Sequence, residues 1–101
     1  MPQYDNDIVS VITPVYNVGK VIGKTINSML AQGYKDLEIV LVDDCSKDNS
    51  AEVIAEYIAK YPNIVYHLQE KNGGAAVARN TALKLARALD CTIEDLLELS
   101  E

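Results

Sequence analysis

Cysteine is scarce, long apolar runs are missing and basic residues are outnumbered, and each shortage removes a class of protein. The two cysteines, Cys45 and Cys91, are too few and too far apart for a disulfide framework or a zinc site, and are expected as reduced thiols. No stretch approaches the roughly 18 apolar residues of a membrane-spanning helix. The amino terminus has neither the charged start nor the apolar core of a secretory signal, so no membrane span and a cytoplasmic location are expected. Nine Lys and Arg stand against 15 Asp and Glu, a net charge of −6. That balance argues against nucleic-acid binding, which relies on clustered cations. The one histidine, His67, falls in a strand-like run and reads as a packed or surface residue. There is no G-x-G-x-x-G and no Walker lysine motif, so dinucleotide and P-loop readings fail.

What is present is enough for one soluble domain: 101 residues, 49% of them hydrophobic. The charge is uneven. Asp90, Glu94, Asp95, Glu98 and Glu101 crowd the last twelve residues with no base among them, while the body is close to neutral. Ile8 to Thr13 reads as a buried strand closed by Pro14. Val21, Ile22, Thr25, Ile26, Met29 and Leu30 recur at helical spacing up to Gly33. Ile39 to Val42 is a continuous β-branched run, as in a parallel strand covered on both faces. Asp48 or Ser50 can cap a second helix with Val53, Ile54, Tyr57, Ile58 and Tyr61 as its apolar stripe, stopped by Pro62. A third strand spans Asn63 to Leu68. A third helix starts near Ala75 and carries the small-residue stripe Ala78, Ala82, Leu85, Ala86 and Leu89. Thr92 looks like the N-cap of a short acidic C-terminal helix with Ile93, Leu96, Leu97 and Leu99 on one face.

The order βαβαβα with short connections predicts an α/β fold: half of a doubly wound, Rossmann-like parallel sheet in three layers, strand order 3-2-1, plus the short C-terminal helix. One edge of the first strand is then left open. The expected division is residues 1–89 as the body and 90–101 as an acidic helix packed on it.

Three loops converge at the carboxyl end of such a sheet: Pro14 to Asn17, Asp43 to Ser46, and Asn72 to Gly74. They offer a proline turn, the aromatic face of Tyr16, amides and carboxylates, and glycines that let backbone N–H groups approach a ligand at a helix N-terminus. This suits a nucleotide, with its ring against Tyr16 or Val15, an acid accepting from base or ribose, and phosphate near the third helix. For Asp43 and Asp44 two readings stand on chemistry alone: they hold a polar ligand or metal, or they cap a turn.

The segments V-S-V-I-T-P-V-Y-N, L-A-Q-G-Y-K-D-L-E-I-V-L-V-D-D-C-S-K-D-N-S and E-K-N-G-G-A-A-V-A-R-N-T-A-L lie within residues 8–86. They resemble the amino-terminal half of a family 2 glycosyltransferase of the GT-A type. The resemblance implies a nucleotide-diphospho-sugar site, usually for a UDP-sugar. In it Pro14, Tyr16, Asn17 and Asp43 hold the nucleoside, and Asn72, Gly73 and Arg79 match the next motif by the same pocket. It also implies a later strand ending in a D-x-D pair that binds divalent Mg or Mn and the diphosphate, followed by a catalytic base. Neither is found in this sequence, so no metal ligand and no catalytic residue is assigned, and the metal is expected only in a full-length family member. Asp43-Asp44 comes one strand too early to be that pair. Residues 82–99 carry a second, shorter resemblance, to the closing helix of Cro/XRE-type repressors, without a recognition helix.

The expectation is therefore the UDP-sugar-binding half of a glycosyltransferase, without transfer activity alone, taking UDP or UDP-sugar weakly. The alternative is an engineered or recombined α/β scaffold with no ligand. Dimerisation through the open edge of the first strand, or pairing with a complementing fragment, is compatible with either.

Overall fold

The computed structural model describes residues 8–87 together with the backbone of 91–93 and 96–97. The elements run β1 (Val9–Tyr16), α1 (Ile22–Leu30), β2 (Leu37–Asp43), α2 (Ser50–Lys60), β3 (Ile64–Leu68), α3 (Ala75–Leu85), β4 (Cys91–Ile93) and β5 (Leu96–Leu97). All described pairings are parallel, in the order β3-β2-β1-β4, with β5 also on β1. The βαβ order and the 3-2-1 half-sheet agree with the sequence.

The continuous apolar strands follow from burial on two faces, since successive side chains of a strand point to opposite sides. Val11, Val15, Ile39, Leu41 and Ile64 pack with Ile22, Ile26 and Met29 of α1 and Ile54 of α2. The intervening residues Ile12, Val40 and Val42 pack instead against Ala78 and Ala82 of α3. Small residues suit that second face, because alanine lets a helix backbone come close to a β-branched sheet surface. Leu85, expected in the same stripe, is exposed at the end of α3, and Leu89 lies outside the described residues.

Two expectations change. β1 does not stop at Pro14 but continues to Tyr16, with Pro14 opposite Val42 and Val15 opposite Asp43. Described pairing on the other side of β1 covers Ser10 to Ile12 and then Val15 and Tyr16. Pro14, with no N–H to give a ladder, falls between these two stretches. The second change is at the carboxyl end, where residues 91–93 and 96–97 are strand and not helix. Helical periodicity in a short apolar segment is weak evidence, and here the unsatisfied edge of β1 supplies the competing hydrogen bonds. The edge on which dimerisation was to rest thus carries β4 and β5. The closing helix of a repressor is not formed in the described parts of 82–99 beyond α3, and residues 94–95 and 98–101 lie outside them.

Candidate functional site

With the order β3-β2-β1-β4, the strand sequence reverses direction between β1 and β4. Open α/β sheets bind ligands at the carboxyl ends of strands beside such a reversal. Tyr16, Asn17, Asp43 and Asp44 lie at that end.

The two aspartates are adjacent in sequence and buried, 1% and 2% exposed, yet the strand pleat sends them to opposite faces. Asp43 turns toward the α1 and α2 side. Its Oδ1 accepts from the Ser46 amide at 2.8 Å and its Oδ2 from the Tyr66 hydroxyl at 2.7 Å. Burial first, and then the bond to Asp43, push the Tyr66 phenol well above the ordinary tyrosine range. Tyr66 therefore remains a proton donor to the carboxylate. Asp44 turns toward α3, where its Oδ1 accepts from Gly73 N at 2.8 Å and its Oδ2 from Gly74 N at 2.9 Å.

The Asp44 backbone completes the junction. Its N–H donates to Val15 O at 2.8 Å, and its carbonyl accepts from Asn72 Nδ2 at 3.3 Å. One residue thereby ties together the ends of β1 and β2 and the loop before α3. Asn17 links the first two loops again: its N–H donates to Ser46 Oγ at 2.9 Å, and its Oδ1 accepts from Lys47 N at 2.7 Å. Asn17 holds φ +53°, a left-handed conformation that Asn tolerates better than most residues. Cys45 also has positive φ, +67°, and its Sγ donates to Gln69 O at 3.3 Å.

A second layer supports this rim. Asp48 accepts from Gly19 N at 2.9 Å, from Ser50 N at 3.0 Å and from the Ser50 hydroxyl, whose oxygen in turn accepts from Val18 N at 3.0 Å. Partial burial opposes charge on Asp48, but the Ser50 and Gly19 hydrogen bonds outweigh it and lower its pKa. The expectation that Asp48 or Ser50 caps α2 is corrected: Asn49 stands at the N-cap without a side-chain cap bond, Ser50 opens the helix, and Asp48, one position outside, takes the Ser50 amide.

Of the residues singled out in the sequence, Asn17, Asp43, Asn72 and Gly73 are brought into this one junction. Pro14 is buried within β1 and Tyr16 is half-buried at its end. Arg79 is half-buried on α3, next to Ala78, which presses on the sheet. One expectation is corrected in detail: the Gly73 and Gly74 amides, offered to a ligand in the sequence reading, are taken by Asp44. Of the two readings for Asp44 the turn-binding one holds, through Gly73 and Gly74, while the pairing of Tyr66 with Asp43 was missed. Tyr66 is found only through register, since it pairs with Leu41, two residues before Asp43 on the same face of β2.

Among the described residues no group of three or more His, Cys, Asp or Glu side chains is placed to hold a metal, and the two aspartates do not share a face. The donor set therefore does not fit the divalent ion that the resemblance implies for longer proteins. No helix among the described residues is long and apolar enough to cross a membrane.

Residues 10–89 match the family model described as Glycosyl transferase family 2. The chain is 37% identical over 90 residues to glycosyltransferase GlyG of Streptococcus pneumoniae, covering 89% of this chain and 30% of that protein. It is 44% identical over 82 residues to the putative teichuronic acid biosynthesis glycosyltransferase TuaG of Bacillus subtilis, covering 79% and 32%. Among solved structures, S. aureus TarS 1-349 in complex with UDP-GlcNAc superposes with a TM-score of 0.79 at 37% identity, over 86% of this chain and 26% of that one. The mannosyltransferase PcManGT of Pyrobaculum calidifontis, in complex with GDP-Man and Mn2+, gives a TM-score of 0.81 at 27% identity, over 99% and 31%. The chain spans just under a third of the length of these curated relatives. By the extent of the family match and by these relatives alike, the chain belongs to glycosyl transferase family 2.

Proposed function

We propose that this chain forms the nucleoside-binding part of a UDP-sugar site and does not transfer sugar by itself. The observation that carries this is the junction of three loops at the carboxyl ends of β1 and β2, beside the reversal of strand order. TarS, a relative by sequence and fold, is described in complexes with UDP and with UDP-GlcNAc. In this reading Pro14, Tyr16 and Asn17 form one wall, and Asp43, buried with Oδ1 on the Ser46 amide and Oδ2 on the Tyr66 hydroxyl, has only its remaining lone pairs to offer the base or ribose. Asn72, Gly73 and Arg79 border the same pocket, Gly73 through the shape of its turn. A cytosol-facing location and a body ending near residue 89 belong to the same proposal.

Binding is expected to be weak. Longer relatives include one seen with Mn2+, whereas the described residues here supply no matching cluster of acids to offset a diphosphate. A millimolar dissociation constant, about −4 kcal/mol, is the expected scale. The test is titration of UDP into isotopically labelled protein with amide shifts followed at Tyr16, Asn17 and Asp43. Saturable shifts there support the proposal, and their absence favours the ligand-free scaffold. Transfer of sugar to an acceptor by this chain, with metal and UDP-sugar supplied, would overturn the second half of the proposal.

A further inference from the structure

Asp44 uses its N–H, its carbonyl and both carboxylate oxygens to join the ends of β1 and β2 and the loop before α3, and it is 2% exposed. Two features of that arrangement bear on ligand binding. The carboxylate stands at the positive end of an eleven-residue helix, where a second anion would meet both an offset dipole and a like charge. The loop it grips includes Asn72, so the place of Asn72 depends on Asp44. Gly74, with φ +88° and ψ 171°, adopts a backbone conformation open almost only to glycine, which turns its N–H onto Oδ2.

From this we infer that Asp44 is a positioning residue: an internal anion seated before α3 that sets the 72–74 loop against the strand ends and closes that helix end to a nucleotide phosphate. Recognition by this chain then falls on the nucleoside. The role of the loop rests on the UDP-site reading, but the closure of the helix end does not.

Two measurements separate these parts. The first titrates inorganic pyrophosphate into the unaltered chain and into D44A, following the Gly73 and Gly74 amides. No saturable shift is expected in the unaltered chain, and a saturable shift is expected in D44A, where the two N–H groups are released. A saturable shift at both glycines of the unaltered chain overturns the inference, and this arm needs no variant to fold. The second titrates uridine into the unaltered chain and D44N, which keeps the side-chain size but turns an NH2 group onto one glycine donor. Uridine binding about tenfold weaker in D44N is expected, with recovery in D44A on adding formate, which general destabilisation would not give. Equal uridine affinity in D44N and the unaltered chain overturns the positioning role. If the unaltered chain binds UDP and uridine nowhere, the UDP-site reading fails while the pyrophosphate arm still decides the closure.

Discussion

Replacing Tyr66 by phenylalanine removes one oxygen atom and leaves the ring in place, so it isolates the bond between the Tyr66 hydroxyl and Asp43 Oδ2, 2.7 Å long. Asp43 is only 1% exposed, and water cannot freely take over from the lost donor. A hydrogen bond to a charged group contributes roughly 1.5–3 kcal/mol, against about 1 kcal/mol for a neutral pair. The expected loss of stability is therefore about 2 kcal/mol, or about 8–16 °C in melting temperature for a domain of this size. Tyr57→Phe is the internal control, since the Tyr57 hydroxyl donates to the neutral Gly23 carbonyl at 3.1 Å and its loss should cost about half as much. Urea unfolding by circular dichroism measures both, with an unchanged denaturant slope as the sign that the folded state keeps its compactness. A Tyr66→Phe protein no less stable than Tyr57→Phe would refute the assignment of a buried, charge-bearing acceptor at Asp43.

Other outcomes follow from the same geometry. Because Tyr66 is shifted upward in the fold, its contribution is fully present below the ordinary tyrosine value of 10.0 and is lost as pH rises beyond it toward the higher folded value. The urea midpoint should therefore fall in alkaline solution, and Tyr66→Phe should lack that part of the fall. Gly74→Ala should cost about 1–3 kcal/mol although an added Cβ meets nothing within 4 Å, because φ +88° with ψ 171° is a conformation alanine resists; thermal melting checks it. At the opposite end of the sheet, Glu38 Oε1 accepts from Ser10 Oγ at 2.7 Å and from Arg87 N at 2.9 Å. Glu38→Ala should lower stability by about 2 kcal/mol through the loss of these buried partners, and leave uridine affinity unchanged in the same NMR titration. Ser50→Ala strands the Val18 N–H, for a loss of about 1–3 kcal/mol in urea unfolding.

Much of the fold was legible because its signals are local. The β-branched run Ile39 to Val42, bounded by turn residues, suits a strand covered twice, and the spacing of Ile22, Ile26 and Met29 puts all three on one side of a helix. The site was legible at the level of loops, because Asn17, Asp43 and Asn72 stand next to strand ends or turns that the sequence marks. Partners across loops were not, since Tyr66 reaches Asp43 only when β3 and β2 are set in register.

The amino-acid sequence by itself determined the βαβ order, the two-sided core, the family and the stretches that meet at the sheet's carboxyl end. Periodicity, turn chemistry and motif identity are written residue by residue. Only the tertiary structure decided that Asp43 receives the Tyr66 hydroxyl, that Asp44 takes the glycine amides the sequence offered to a ligand, and that residues 91–93 and 96–97 become strands. Each of these is settled by which unsatisfied hydrogen-bonding group lies nearest in space, a quantity fixed by strand register and helix placement and by no local pattern.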